Sequence, residues 1–282
     1  MNPSTRAARS GRGLPAVTLA AMVLLTASVA WAQFGRGGNA ALAAHTARPD
    51  SFDGRFHYCR AVYRMNPGGD GGSWLTDYPL ADIDLSIRLA ELTKIRVGFD
   101  PGGQPQHLIV QLSADELFKC PVIIMQEVGR LFFNDEDATR LRTYLLKGGF
   151  LWVDDFWGSY AWDSWATQIR KVFPAPDYAI VDLPKEHPIF HTMFDLPGIP
   201  QIPGIGYWRG SRGGTSERGA DSAQVHTRGV SDRTGRLMVL MTHNTDVSDS
   251  WEREGEDPQY FYQFSVHGYQ VAMNVMLYVM TH

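Results

Sequence analysis

Two adjacent carboxylates, Asp154 and Asp155, close the apolar run Phe150-Leu151-Trp152-Val153, and a second polar run, His243-Asn244-Thr245-Asp246-Val247-Ser248-Asp249, follows an apolar stretch at 237–241. Ligand sites in α/β folds sit at the carboxyl ends of the strands. If the two strands point the same way, both polar groups therefore meet at one edge of a sheet. Two or three carboxylates with a neutral imidazole form a hard donor set for a divalent cation, which would lower the pKa of a bound water toward neutrality. Asp154, Asp155, His243 and Asp246 are the candidate metal ligands, and a divalent metal is the one cofactor the pattern suggests without requiring it. His267, ahead of the last helical pattern, could join them or carry a proton. Asp154, Asp155 and His267 are accordingly the catalytic candidates.

A structural role competes with each of these assignments and carries more weight. An aspartate at a strand end often caps the following turn or helix, and Asp246 and Asp249 are each placed to bond nearby amides in Asx-turns. Adjacent carboxylates also cannot be the opposed acid and nucleophile of a glycosidase, which stand roughly 5–10 Å apart. Asp155 with Asp246 or Asp249 could meet that separation. Nearby, Trp152, Phe156, Trp157, Tyr160, Trp162 and Trp165 fall within fourteen positions. Flat rings beside carboxylates suit sugars, which have a C–H face and an O–H rim, although core packing explains most aromatic residues. Trp157 and Trp162, which flank Gly158, are the two expected to be exposed. The candidate ligand-binding set is thus Asp154, Asp155, Trp157, Trp162, His243, Asp246 and Asp249. His187, followed by a proline, reads as a packed turn histidine.

The elements that must position these residues alternate. Strands are expected at 56–63, 121–125, 150–153, 178–181 and 237–241, and helices at 80–92, after Asn134, at 162–172 and at 269–280. In the helix at 80–92, Leu80, Ile83, Leu85, Ile87, Leu89 and Leu92 line one face, and Asp82, Asp84, Arg88 and Glu91 are placed toward solvent. Ser113-Ala114-Asp115-Glu116 reads as a capping box opening a short helix. Asn134 caps a helix with three acids in its positive first turn and Gly148 as its stop. The glycine cluster at 67–72 lacks the lysine of a phosphate loop and reads as a connector before a ligand loop. Such alternation implies a mostly parallel sheet with helices on both faces, a three-layer α/β/α sandwich. The stretch 197–221, rich in Gly, Pro, Arg and Ser, has little periodicity and reads as a long loop or flap.

Arg6, Arg9 and Arg12, an apolar core at 14–30 and Ala30-Trp31-Ala32 have the form of a signal peptide cleaved after residue 32, with an uncleaved anchor as the alternative. Residues 33–54 read as a flexible linker and 55–282 as a single domain. The mature chain is expected outside the cytoplasm, periplasmic or secreted, with no membrane span, since charges interrupt its apolar runs. A net charge of −4 with interspersed signs excludes the clustered basic face that nucleic-acid binding needs. Cys59 and Cys120 could pair in an oxidising compartment or remain buried free thiols.

The segments FHYCRAVY, LSADELFKCPVIIMQ, NDEDATRLRTYLLKGGFLWVDDFWG, VFP, LPKEHPIF and THNTDVSD together resemble the domain of unknown function 4159 family, over about residues 55–282. The resemblance implies an exported bacterial protein with a flavodoxin-like sandwich similar to class I glutamine amidotransferases, near the trehalose-utilisation type. It implies no activity, and the glutaminase Cys-His-Glu set finds no matching positions here. Three functions stay open. The preferred one is a non-catalytic binding or assembly module for a saccharide, an envelope polymer or a protein partner. The others are a metal-assisted hydrolase of envelope or carbohydrate material using Asp154 and Asp155, and a structural subunit of an envelope complex contacted through 197–221. The lack of a recognisable nucleophile, and of ligand spacing as sharp as His-Glu-x-x-His, argues against an enzyme.

Overall fold

Strands covered on both faces must be apolar on both, and the wholly buried Ile123, Leu151, Val153, Val239 and Leu240 meet that requirement. In a computed structural model that describes residues 42–282, they belong to a sheet built from β1 (Tyr58–Val62), β3 (His107–Gln111), β4 (Val122–Gln126), β6 (Phe150–Asp154), β7 (Val181–Asp182), β8 (His226–Ser231) and β9 (Leu237–His243). Its order is β3-β1-β4-β6-β9-β8-β7. The first five strands pair in parallel, and β8 and then β7 add in antiparallel fashion. β2 (Arg64–Met65) and β5 (Leu131–Phe132) form a separate antiparallel ribbon. Counted along the chain, the five parallel strands stand in the order 2-1-3-4-5. That is the flavodoxin-like arrangement, whose switch point falls between the first and third strands, here β1 and β4. The expected signal peptide at 1–32 and the linker up to residue 41 lie outside the described residues.

Alternation along the strands sorts side chains into two cores. Tyr58, Ile124, Trp152 and Leu240 face α1 (Leu80–Leu92) and the C-terminal helix, whereas Cys59, Ile123, Leu151 and Val239 face α2 (Asp135–Leu146) and α3 (Gly158–Val172). Three layers result, as the β-α alternation implied. Cys59 and Cys120 are joined by a disulfide across the second core.

α1 has the expected limits, but Asp82 is fully buried rather than solvated. The same alternation puts Arg60 of β1 inward on that face, where its Nε donates to both Asp82 oxygens at 3.0 and 3.1 Å. A guanidinium there requires a carboxylate partner, because an unpaired buried charge is prohibitive. α2 opens on Asn134, whose side chain accepts from the Asp137 amide at 2.7 Å, and stops at Gly148 with φ +110°. The short 3₁₀ turn Asp115–Lys119 has Ala114 at its N-cap with no side-chain cap, so the Ser113 capping box does not form.

α3 starts four residues before the expected 162, because its first amides are capped from far along the chain: Gly158 by Asn244 at 2.8 Å and Ser159 by Asp221 at 2.8 Å. β7 lies at the end of the expected strand at 178–181 rather than across it, and β3 and β8 were not anticipated, each carrying polar residues. The stretch 197–221 contains α4 (Ile205–Gly210), and Ile202, Ile205 and Trp208 bury themselves in the first core. α5 (Asp249–Glu252) follows β9. The chain then closes with α6 (Val266–Thr281), which starts three residues earlier than expected behind the π-helical turn Phe261–Ser265. No helix among the described residues is long and apolar enough to cross a membrane.

Candidate functional site

Three neighbouring strands hand over to a polar residue in left-handed backbone: Glu127 after β4 (φ +54°), Asp155 after β6 (φ +53°) and Asn244 after β9 (φ +65°). Asp77, on the loop between β2 and α1, has φ +62°. Such backbone costs of order 1 kcal/mol at a residue with a side chain and gathers at functional sites. Here it turns the chain sharply at the carboxyl edge, beside the β1/β4 switch point, where a ligand is expected.

The carboxylates converge there. One oxygen from each of Asp77, Asp155 and Asp246 lies within 4.8 Å of the other two, and Asp77, Asp249 and Glu252 make a second such group. Each member of the first group uses an oxygen on a protein donor. Gln126 Nε2 donates to Asp77 at 2.7 Å, the Trp157 indole to Asp155 at 2.9 Å, and the Asp249 amide to Asp246 at 2.9 Å. Among the described residues, no donor reaches the second oxygen of Asp155 or Asp246. Gln126 itself accepts from Arg60 and donates to Ser248, so the buried Arg60–Asp82 pair fixes the amide that orients Asp77.

Burial pushes the carboxyls of Asp77, Asp155 and Asp246 well above the usual range, and each carries further upward pressure from neighbouring acids. For Asp155 those neighbours are Glu127, Asp77, Asp154 and Glu217. Burial also lifts Glu127 to about 7, against a hydrogen bond from the Gly72 amide. A Cβ on Gly71 would lie 2.0 Å from the Glu127 carboxylate, so the glycine cluster at 67–72 is the wrapping that lets Glu127 sit at the rim. Arg253 lies against Asp249 at 3.6 Å and against Glu252, which gives the second group a resident cation. Among the described residues no base forms an ion pair with the first group: the buried Arg60 pairs with Asp82 and only pulls the Asp77 carboxyl down through space, against the larger effect of burial.

The candidates from the sequence fare differently. Asp155, Asp246 and Asp249 stand in this cluster. Asp154 is beside it but acts as a fastener: it accepts from Thr242 at 2.5 Å and from the Ser248 amide and hydroxyl at 2.9 and 3.0 Å, with burial raising its pKa to about 6. Asp246 also caps locally, accepting from the Asp249 amide, whereas Asp249 does not: it accepts from distant donors, the Ile205 amide at 2.6 Å and Tyr260 at 3.0 Å. His243 does not point its nitrogens at the acids. Its Nε2 meets the Gly158 carbonyl at 3.0 Å, its Nδ1 faces Arg228 at 3.5 Å, and its ring stacks on Phe156. Burial drops its pKa to about 4, so it is a neutral packing residue.

Trp157, expected to be exposed, is 4% exposed and serves Asp155, and Trp162 is half-buried beneath the Arg228 guanidinium at 3.9 Å. His267 is exposed, bonds Gln270, and lines a different cleft of about 460 Å³ with Leu196, Pro197 and Ile199. His187 caps the turn Pro188–Phe190, a packed turn histidine as expected.

Asp77, Gln126, Glu127 and Glu217 were missed. Gln126 and Glu127 carried the signal that singled out Asp154 and Asp155, polar residues ending an apolar strand. Asp77 and Glu217 carried none, since only the fold brings their loops to the edge.

Fold and site together define a flavodoxin-like α/β sandwich with a buried acidic cluster at the carboxyl edge of its parallel strands. The chain belongs to the family described as domain of unknown function (DUF4159), whose profile matches residues 60–280. A search of curated proteins finds no match.

Proposed function

We propose that the carboxylate cluster beside the switch point is the ligand site of an extracytoplasmic binding module. In this reading it holds a divalent cation among Asp77, Asp155 and Asp246 and through it recognises an oxygen-rich ligand such as a saccharide or envelope polymer. The observation that carries this reading is the first carboxylate group: three acids from three separate loops, two in strained backbone, within 4.8 Å and with no ion-pair partner among the described residues. Strain and like-charge repulsion both oppose that arrangement, and a cation offsets both. Oxygen-only donors suit Ca²⁺, Mg²⁺ or Mn²⁺. Ligands on opposite sides of Ca²⁺ at 2.3–2.6 Å stand about 5 Å apart, which matches the spacing.

Export is part of the proposal, and the joined Cys59–Cys120 pair supports an oxidising compartment. The likeness to class I glutamine amidotransferases is kept as a likeness of fold, because the disulfide leaves no thiolate for glutaminase chemistry. Binding is preferred to hydrolysis because His243, the one imidazole near the cluster from the sequence set, has both nitrogens engaged elsewhere.

The test is calorimetric titration of the protein with Ca²⁺, Mg²⁺ and Mn²⁺, followed by envelope oligosaccharides with and without the cation that binds. Stoichiometric cation binding that the oligosaccharide then depends on is expected. No binding by any of the three removes the reading, and cation-dependent cleavage of the oligosaccharide replaces it with the hydrolase.

A further inference from the structure

The segment 197–221 has a root and a tip that are held in different ways. Its root is fastened by buried bonds: Ile205 N to Asp249 at 2.6 Å, Ile202 N to the Thr245 hydroxyl at 3.0 Å, and Tyr260 to the Pro203 carbonyl at 2.8 Å. Beyond α4 the chain passes through Arg212 (φ +60°) and Gly213 (φ +95°), a left-handed pair that separates root from tip.

The tip at 214–222 meets the glycine loop and α3 through solvent-exposed polar contacts and the root through half-buried ones: Thr215 donates to the Gln201 side chain at 2.8 Å, and the carbonyls of Ser216 and Ser222 accept from Tyr207 at 2.6 Å and from Gln201 at 2.7 Å. Arg218 Nη2 donates to both Asp70 oxygens at 3.2 and 3.3 Å, with side chains 43% and 30% exposed. Asp221 accepts from the Ser159 amide at 2.8 Å, on the same first turn of α3 from which Tyr160 donates to the Gly68 carbonyl at 2.6 Å. The tip, the glycine loop and the start of α3 thus form a closed triangle of polar contacts.

That triangle lies over the carboxylates. Asp70 is two residues from Gly72, whose amide holds Glu127. Glu217, next to Arg218, accepts from the Gly204 amide at 2.9 Å, and a Cβ on Gly204 would lie 3.3 Å from Glu217 and 3.6 Å from Asp246.

We infer that the tip at 214–222 is a lid over the carboxylate cluster, hinged at Arg212-Gly213 and latched to the glycine loop by Arg218–Asp70. The inference rests on the cluster being a cation site, since its role is to gate that site. An exposed ion pair adds little and is screened by salt, so the latch to the glycine loop yields first; full opening also parts the bonds of Thr215, Ser216 and Glu217 to Gln201, Tyr207 and Gly204, while the buried bonds of the root stay in place.

Two readouts separate failure of the lid from failure of the cation site. The first is native-state hydrogen exchange of the protein without cation. Arg218→Ala is expected to speed exchange at 67–72 and 214–222 about two- to fivefold, the range an exposed ion pair commands. Residues 205–210 stay unchanged, and the charge-reversed pair Asp70→Arg with Arg218→Asp restores slow exchange. Unchanged exchange, or no restoration by the reversed pair, overturns the latch. The second readout is Mn²⁺ dissociation, expected to be faster from Arg218→Ala by a similar factor. An equal rate from both proteins overturns gating. Failure of the unsubstituted protein to bind Mn²⁺, Ca²⁺ or Mg²⁺ removes the cation site and, with it, gating as the lid's role, whereas the exchange result alone decides the latch.

Discussion

Replacing Asp155 by Asn separates the electrostatic account of the site from a purely structural one, because the substitution leaves geometry intact. Asn tolerates the left-handed backbone at φ +53° as well as Asp does, and its amide oxygen can still accept from the Trp157 indole. What changes is one charge. Two ionised carboxylates 4.8 Å apart, the outer limit within the group, repel by about 3 kcal/mol at an effective dielectric near 20. Asp155 faces two such neighbours, Asp77 and Asp246, but it can take up a proton, which caps the penalty. Removing the charge should therefore stabilise the cation-free protein by about 1–3 kcal/mol near neutral pH. In the unsubstituted protein, a cation at 100 times its dissociation constant adds about 2.7 kcal/mol, or roughly 5–11 °C in melting midpoint for a domain this size.

Asp155→Asn should thus melt higher than the parent without cation and gain little when the cation is added, so the cation closes or reverses the gap between the two. Calorimetric scans of both proteins, with chelator and with excess Ca²⁺ or Mn²⁺, read that change directly. A variant that keeps the full cation shift, or that melts below the parent in chelator, refutes the reasoning.

Three further outcomes follow from the same geometry. Without cation, stability should fall as pH rises: Asp154 at about 6 and Glu127 and Glu252 at about 7 bind protons more tightly folded than unfolded. Their contribution is complete below the unfolded value near 4 and is lost through the folded values, at about 1.4 kcal/mol per pH unit for each proton released. Urea midpoints that stay flat or climb from about pH 5 to about pH 8 would contradict it. Arg60→Met leaves Asp82 buried and unpaired and should cost about 3–5 kcal/mol, most of it recovered in the double variant with Asp82→Leu. An equally unstable double variant would show that packing, not the orphaned charge, sets the cost. Reducing Cys59–Cys120, which closes a separation of 61 residues, should lower unfolding free energy by about 4 kcal/mol on the chain-entropy account. A loss below about 1 kcal/mol in denaturant titrations with and without reductant would place the bond's role elsewhere.

The fold was legible where local and global signals agree. α2 announces itself through Asn134, its acidic first turn and Gly148, and β4, β6 and β9 through apolar runs that only a doubly covered sheet accommodates. Legibility failed where the deciding partner is distant. Asp82 fits the solvent face of a helix by spacing, and only β1, twenty-two residues away, supplies the guanidinium that draws it inward. The start of α3 is set by Asn244 and Asp221, neither visible from the helix itself.

The site divides along the same line. The strand-end rule finds Asp154 and Asp155, and applied to β4 it also finds Gln126 and Glu127. It cannot rank them, because Asp154 and Asp155 are adjacent, alike in type and opposite in use, one fully satisfied by Thr242 and Ser248 and one left with an oxygen free. Adjacent residues at a strand end point to different sides, and the left-handed turn at Asp155 accompanies the division, one carboxylate bonded into the fold and the other set among the acids of the cluster. The chemistry of this edge therefore depends on backbone dihedrals at Asp77, Glu127 and Asp155 as much as on residue type, and a substitution that relaxes any of these turns should disperse the acids without deleting one.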